Sequence, residues 1–182
     1  MREWMDVPNL PDSDAEKRLH LERYEYAAKA LTGMRVLDCA CGMGYGTAML
    51  NAAALWTVGV DLDPEAIALA RKRFPAPYFW IGDIHEQIAA FSPCIDALVS
   101  FETLEHLTDP ENVVQRLPGS IKTILASAPI IPTVGINLAH RTDFSQDSFR
   151  ALIGSRFKIV YERLQDGPNG KPLYLMLHGV RD

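Results

Sequence analysis

Apolar and polar positions along this chain fall into short apolar runs separated by stretches of helical periodicity. Ser13-Asp14-Ala15-Glu16 reads as a capping box, and Leu21, Tyr24, Ala28 and Leu31 then recur at helical spacing until Gly33 supplies a stop. A strand is predicted over 35–38, a small apolar helix from 47 to near 54, and a second strand over 56–61. Asp63-Pro64-Glu65 caps a helix through Phe74, whose Arg71, Lys72 and Arg73 read as a solvated helix end complementing the dipole. Strands follow over 78–81 and 95–100, then a helix from Asp109-Pro110 to Leu117 that Pro118-Gly119 breaks, and a fifth strand over 123–128. Residues 133–144 lack periodicity and read as a functional lid. Ser145 caps a helix to Ile153, and strands over 157–164 and 173–178 form an antiparallel hairpin across Gly167-Pro168-Asn169-Gly170. Such alternation predicts an α/β fold, in which ligands lie outside the carboxyl ends of the strands.

Composition narrows this picture. The 182 residues, 48% of them apolar, suffice for one well-buried core and are few for two domains. Residues 1–12, with Pro8 and Pro11, read as a flexible arm, and 13–182 as a single domain. A net charge of −5 gives no overall attraction to nucleic acid or to an anionic membrane. No apolar run reaches the roughly 18 residues of a membrane span, and Glu3 and Asp6 around Trp4 do not read as a signal peptide, so a cytoplasmic chain is expected. Cys39, Cys41 and Cys94 lack zinc-site spacing and are expected as buried free thiols.

The candidate chemistry begins at Val36-Leu37-Asp38-Cys39-Ala40-Cys41-Gly42-Met43-Gly44-Tyr45-Gly46. Glycines at alternate positions after a strand free the backbone to turn and to approach a ligand. Asp38 at that strand end would repel a pyrophosphate and suits a cation, so S-adenosylmethionine fits better than a dinucleotide. Asp61 and Asp83 also follow strands, and Asp61 stands 17 residues beyond Gly44, near the separation at which such folds hold ribose hydroxyls. Arg23 or the Tyr24 hydroxyl could meet the ligand's carboxylate; the alternative is packing for Tyr24 and solvent for Arg23. After the fourth strand, Phe101-Glu102-Thr103-Leu104-Glu105-His106 is dense in ionisable groups. His106 is the first candidate base for a hydroxyl acceptor and His140, on the lid, the second. Glu102, Glu105 and His106 could hold a divalent ion, but capping of the following helix by the glutamates is the favoured alternative, and no metal is assigned.

These motifs together resemble the class I S-adenosylmethionine-dependent methyltransferases, over nearly the whole chain from Arg23 onwards. Val36-Leu37-Asp38-x-x-Cys41-Gly42-x-Gly44 looks like the family's first motif, Gly59-Val60-Asp61 its second, Gly82-Asp83 its third, and Phe101-Glu102-x-x-Glu105-His106 the segment after strand four. The resemblance implies a Rossmann-like, doubly wound sheet of seven strands, mostly parallel with a reversed last strand. It assigns Asp38, Gly42 and Gly44 to the methionine end, Asp61 to the ribose, Leu62 and Ile84 to the adenine faces and Asp83 to the adenine amino group. Tyr24, Ala40 and Phe101 complete the expected cofactor shell. Ala40 stands where the family has glycine, and alanine fits there only with negative φ. His20-Leu21-Glu22-Arg23-Tyr24 with Gly44-Tyr45-Gly46 is similar to a bacterial subgroup associated with glycan modification. The expected activity is methyl transfer to a small molecule, a sugar or other hydroxyl, by a monomer or homodimer. A nucleotide or RNA end as acceptor, and a non-catalytic cofactor-binding protein, are the alternatives.

Overall fold

A computed structural model describes residues 9, 11 and 14–182. Its strands are β1 (Arg35–Cys39), β2 (Trp56–Asp61), β3 (Tyr78–Ile81), β4 (Ala97–Phe101), β5 (Thr123–Pro129), β6 (Lys158–Asp166) and β7 (Pro172–Val180). Its helices are α1 (Ala15–Ala30), α2 (Tyr45–Asn51), α3 (Pro64–Arg73), α4 (Ile84–Phe91), α5 (Pro110–Gln115) and α6 (Gln146–Gly154). The strands form one seven-stranded sheet in the order β3-β2-β1-β4-β5-β7-β6. β1 pairs in parallel with β2 and β4, β2 in parallel with β3, and β7 runs antiparallel to both β5 and β6. The seven strands and the reversed last strand are as expected. The chain divides into two compact units, 1–99 and 100–182.

In the first unit, Val36, Leu37, Val58, Val60, Ile95 and Leu98 build a near-dry core, and α3 buries Ala66, Ile67 and Ala70 against β2 and β3. Removing such side chains from water is the main favourable term in holding the sheet to its helices. Asp63 caps α3 through the N–H groups of Glu65 and Ala66, with Pro64 at the first helical position, as its sequence predicts. α1 differs at its start: Asp14 is the N-cap, accepting from Lys17 N at 3.0 Å, and Ser13 lies outside the described residues, as does most of the predicted 1–12 arm. Arg71 is not simply solvated, since its guanidinium donates to the Phe79 carbonyl at 2.7 and 3.2 Å and fastens α3 to β3.

In the second unit, Ile124, Leu125, Phe149, Ile153, Phe157, Leu175 and Leu177 are buried, with α6 packed on β6 and β7. α6 begins in a reciprocal cap between Ser145 and Ser148. Three sequence readings need correction. α4, whose cap Asp83 directly follows β3, had no predicted counterpart; β4 extends through Phe101 rather than ending at Ser100; and Cys94 is exposed, while Cys39 and Cys41 are buried as expected. Cys94 sits on a single 3-10 turn, Ser92–Cys94, which offers no second layer to cover it. Among the described residues no helix is long and apolar enough to cross a membrane.

Candidate active site

The loop after β1 is shaped by packing as much as by any ligand. Gly44 caps α2 at φ +81°, and a Cβ there would lie 2.6 Å from the Phe79 ring and 2.7 Å from Ala70. At Gly46 a Cβ would lie 2.1 Å from the Tyr24 ring. These two glycines therefore admit protein side chains close to the loop backbone. Ala40 has φ +55°, contrary to the expectation of negative φ, because the chain must reverse immediately beyond β1.

Tyr24, drawn close by Gly46, donates from its hydroxyl to Asp38 Oδ1 at 3.1 Å, and Thr47 Oγ donates to Asp38 Oδ2 at 2.6 Å. Asp38 is fully buried, and that burial lifts its carboxyl to about 7 against the opposing pull of both hydrogen bonds. Tyr45 stacks edge-on against Tyr24 with ring centroids 5.4 Å apart, and its hydroxyl meets His20 Nδ1 at 2.9 Å. Burial, reinforced by the charge of Arg23, pushes His20 down to about 3, so its imidazole is neutral here. Arg23 is itself fully buried, which rules out the solvated alternative for it.

Asp61 closes the loop from the next strand. Its Oδ2 accepts from Gly42 N at 2.8 Å and its Oδ1 from Asp63 N at 2.9 Å. A carboxylate offers about four acceptor directions, so two remain for further donors. Leu62, beside it, is 67% exposed. Asp83 instead caps α4, accepting from His85 N at 2.8 Å, and Ile84 is buried at the start of that helix, so the structure gives both a role in folding α4.

The ionisable segment after β4 enters a 3-10 turn, Leu104–His106. Glu102 takes φ +50°, and its Oε1 accepts from Ser127 Oγ on β5 at 2.7 Å. Glu105 is buried, and its carbonyl accepts from Arg141 N and Thr142 N at 2.8 and 3.0 Å, tying residues 141–142 to this turn. His106 and His140 consequently meet edge to face, with centroids 4.7 Å apart. One ligating atom from each of Glu105, His106 and His140 falls within 4.8 Å of the others. The second unit thus brings together both predicted catalytic histidines and one of the two glutamates, while Glu102 faces Ser127. Phe101 ends β4 with its side chain buried.

Three participants escaped the sequence reading. Thr47 is the partner of Asp38 and sits in the first turn of α2, a position where a hydroxyl nine residues past a strand-end acid is a usable signal. Thr133 and Asp143 bracket His140 in an aperiodic segment, and nothing in local patterning marks them.

The sheet order, with β7 reversed between β5 and β6, and a loop of glycines between strand-end acids define a Rossmann-like fold of the methyltransferase type. A solved N-methyltransferase, NodS from Bradyrhizobium japonicum WM9 with S-adenosyl-L-homocysteine, superimposes at TM-score 0.75 over 97% of this chain and 92% of its own, at 16% identity. The family described as a methyltransferase domain matches residues 37–122. A probable S-adenosylmethionine-dependent methyltransferase of Mycobacterium tuberculosis (strain CDC 1551 / Oshkosh) is 27% identical over 156 residues, covering 79% of this chain and 57% of the relative. A ubiquinone biosynthesis O-methyltransferase of Xylella fastidiosa (strain M23) is 33% identical over 128 residues, 65% of this chain and 50% of that protein. The chain thus spans between half and three-fifths of the length of these relatives. Over residues 37–122 the chain is thus similar to the methyltransferase domain family, and its fold is that of solved class I methyltransferases.

Proposed function

We propose that this chain binds S-adenosylmethionine and transfers its methyl group to a hydroxyl of a small-molecule acceptor, residues 13–182 acting as one domain. The single-domain reading is supported by the family match, which runs continuously from residue 37 to 122. The cofactor, when bound, supplies a methyl carbon on a sulfonium, whose displacement needs alignment and exclusion of water more than acid–base help. Asp61 fits the ribose hydroxyls with its two remaining acceptor directions, and the exposed faces of Leu62 and Ile81 beside it fit a flat base. Asp38, with Tyr24 and Thr47 holding its two oxygens, presents a carboxyl of tunable charge to a cationic ligand.

The observation that carries the hydroxyl acceptor is the pairing of His106 with His140 over the buried Glu105. A hydroxyl must lose its proton as its oxygen takes the methyl group, and an imidazole accepts that proton near neutral pH, whereas an amine acceptor needs no such base. The test is formation of S-adenosylhomocysteine across matched hydroxyl and amine acceptors. Turnover on hydroxyls, lowered on the order of 10²-fold in His106→Ala with cofactor affinity kept, supports the reading. Turnover confined to amines or to nucleotides redirects it, and cofactor binding without turnover on any acceptor favours a binding protein.

The same cluster favours a second reading. Two imidazoles and a carboxylate within 4.8 Å match the donor set of a divalent transition metal, so Glu105, His106 and His140 would hold such an ion. An ion there would supply Lewis acidity to the acceptor hydroxyl. Calorimetry with Mn²⁺ on the chelator-stripped protein checks this, and Glu105→Gln should abolish the binding.

A further inference from the structure

His140 lies in an aperiodic segment, yet its ring is held from outside the cluster. Asp143 Oδ1 accepts from Thr133 N at 2.6 Å, Val134 N at 2.9 Å and Thr133 Oγ at 3.2 Å. Thr133 Oγ in turn stands 2.7 Å from His140 Nδ1. A hydroxyl has one hydrogen. If the Thr133 hydroxyl donated it to His140, two acceptor oxygens would face each other at 3.2 Å, one of them on a carboxylate, with no proton between them. Directing the hydrogen to Asp143 removes that repulsion and leaves Thr133 Oγ to accept from an Nδ1–H. The hydrogen bonds from Arg141 N and Thr142 N to the Glu105 carbonyl fix the backbone that directly follows His140, and Thr142 Oγ adds a bond to the Leu107 carbonyl at 2.8 Å.

We propose that Thr133 and Asp143 are positioning residues that lock His140 as its Nδ1–H tautomer, so that Nε2 carries the lone pair offered to the acceptor proton or to a bound ion. This rests on reading Glu105, His106 and His140 as the acceptor-side cluster. Partners of this kind set which imidazole nitrogen is basic, and their loss weakens ion binding about 10- to 100-fold in sites where they orient a ligand. A loop-stapling role for Asp143 is separable, because its bonds from Thr133 N and Val134 N do not involve the Thr133 hydroxyl.

Thr133→Val removes only that hydroxyl, and Thr133→Ser keeps it. Nitrogen-15 NMR of the full chain at a pH where His140 is neutral reads the tautomer directly. The wild type and Thr133→Ser should show His140 protonated at Nδ1, and Thr133→Val should shift it towards Nε2–H while the dispersion of the remaining spectrum is kept. Mn²⁺ affinity should fall at least tenfold in Thr133→Val, and kcat should fall with the KM for S-adenosylmethionine unchanged. A wild-type His140 protonated at Nε2, or a tautomer indifferent to Thr133→Val, overturns the proposal. If the wild type binds no Mn²⁺ or turns over no hydroxyl acceptor, the metal or the acceptor reading fails separately, and the tautomer still decides the relay.

Discussion

Asp38 concentrates two opposing demands in one side chain. Its burial disfavours charge and raises its carboxyl from 3.8 to about 7, while a cationic ligand needs the ionised form. Because the folded value lies above the unfolded one, the folded state binds the extra proton between the two, so stability falls as pH rises from about 4 to about 7 and levels off above. The span corresponds to something on the order of 4 kcal/mol. Denaturant unfolding at pH 5 and pH 7.5 should show about 2.5 kcal/mol of this loss in the wild type and a flatter profile in Asp38→Asn; equal slopes would remove Asp38 as the cause. Cofactor affinity should run the other way, weakening up to about tenfold per pH unit below 7, with the dependence gone in Asp38→Asn. Ala40 gives a simpler case. Its φ of +55° costs an L-residue about 1–2 kcal/mol, and glycine would recover that less about 0.4–1 kcal/mol of added chain entropy in the unfolded state. Ala40→Gly should therefore raise stability by roughly 0.5–1 kcal/mol, measured as a higher denaturant midpoint at unchanged slope.

At the scale of elements, the turn from β1 into α2 works because other elements press into it. Phe79 of β3 and Ala70 of α3 occupy the space a Gly44 side chain would need, and Tyr24 of α1 occupies that of Gly46. Gly46→Ala should cost about 1–3 kcal/mol from overpacking and should also part Tyr24 from Asp38. A thermal scan checks the first, and the ultraviolet difference spectrum of Tyr24 against Tyr24→Phe the second. This explains how much of the site was legible in the sequence. Strand-end acids and glycine spacing are local patterns, so β2 and β3 are legible at their observed bounds. What a glycine makes room for is a tertiary fact, invisible until α1 and β3 are in place. The same holds for Ala40, whose backbone was misjudged because the reversal after β1 overrides the residue's own preference. A strand-end acid and a helix cap share one spelling, so the cap that Asp83 makes on α4 is not separable in the sequence from a ligand-facing acid.

For the molecule as a whole, the sheet is legible from the alternation of apolar runs and His106 and His140 as candidates, but that they meet at Glu105 without Glu102 is not, since His140 is 34 residues from His106. The bonds from Arg141 N and Thr142 N to the Glu105 carbonyl, with that from Thr142 Oγ to the Leu107 carbonyl, bring that distant loop to the turn after β4. Cofactor binding provides the test at this scale. A ligand that binds only the folded chain adds RT ln(1 + [L]/Kd), about 2.7 kcal/mol at a hundredfold excess over Kd. At about 2–4 °C per kcal/mol for a chain of this size, S-adenosylhomocysteine in such excess should raise Tm by roughly 5–10 °C. Asp61→Asn keeps the shape of the side chain and one carbonyl acceptor, but replaces the other oxygen with a donor that opposes a backbone N–H of Gly42 or Asp63 and can no longer accept from a ribose hydroxyl. Losing charge-assisted bonds of this kind costs about 1.5–3 kcal/mol, enough to weaken the ligand by roughly 10- to 150-fold and to erase most of the Tm shift at the same concentration. An unfolding scan showing an undiminished ligand-induced shift in Asp61→Asn would remove that residue from the cofactor site, and the β2 acid would then serve only to pin the Gly42 loop.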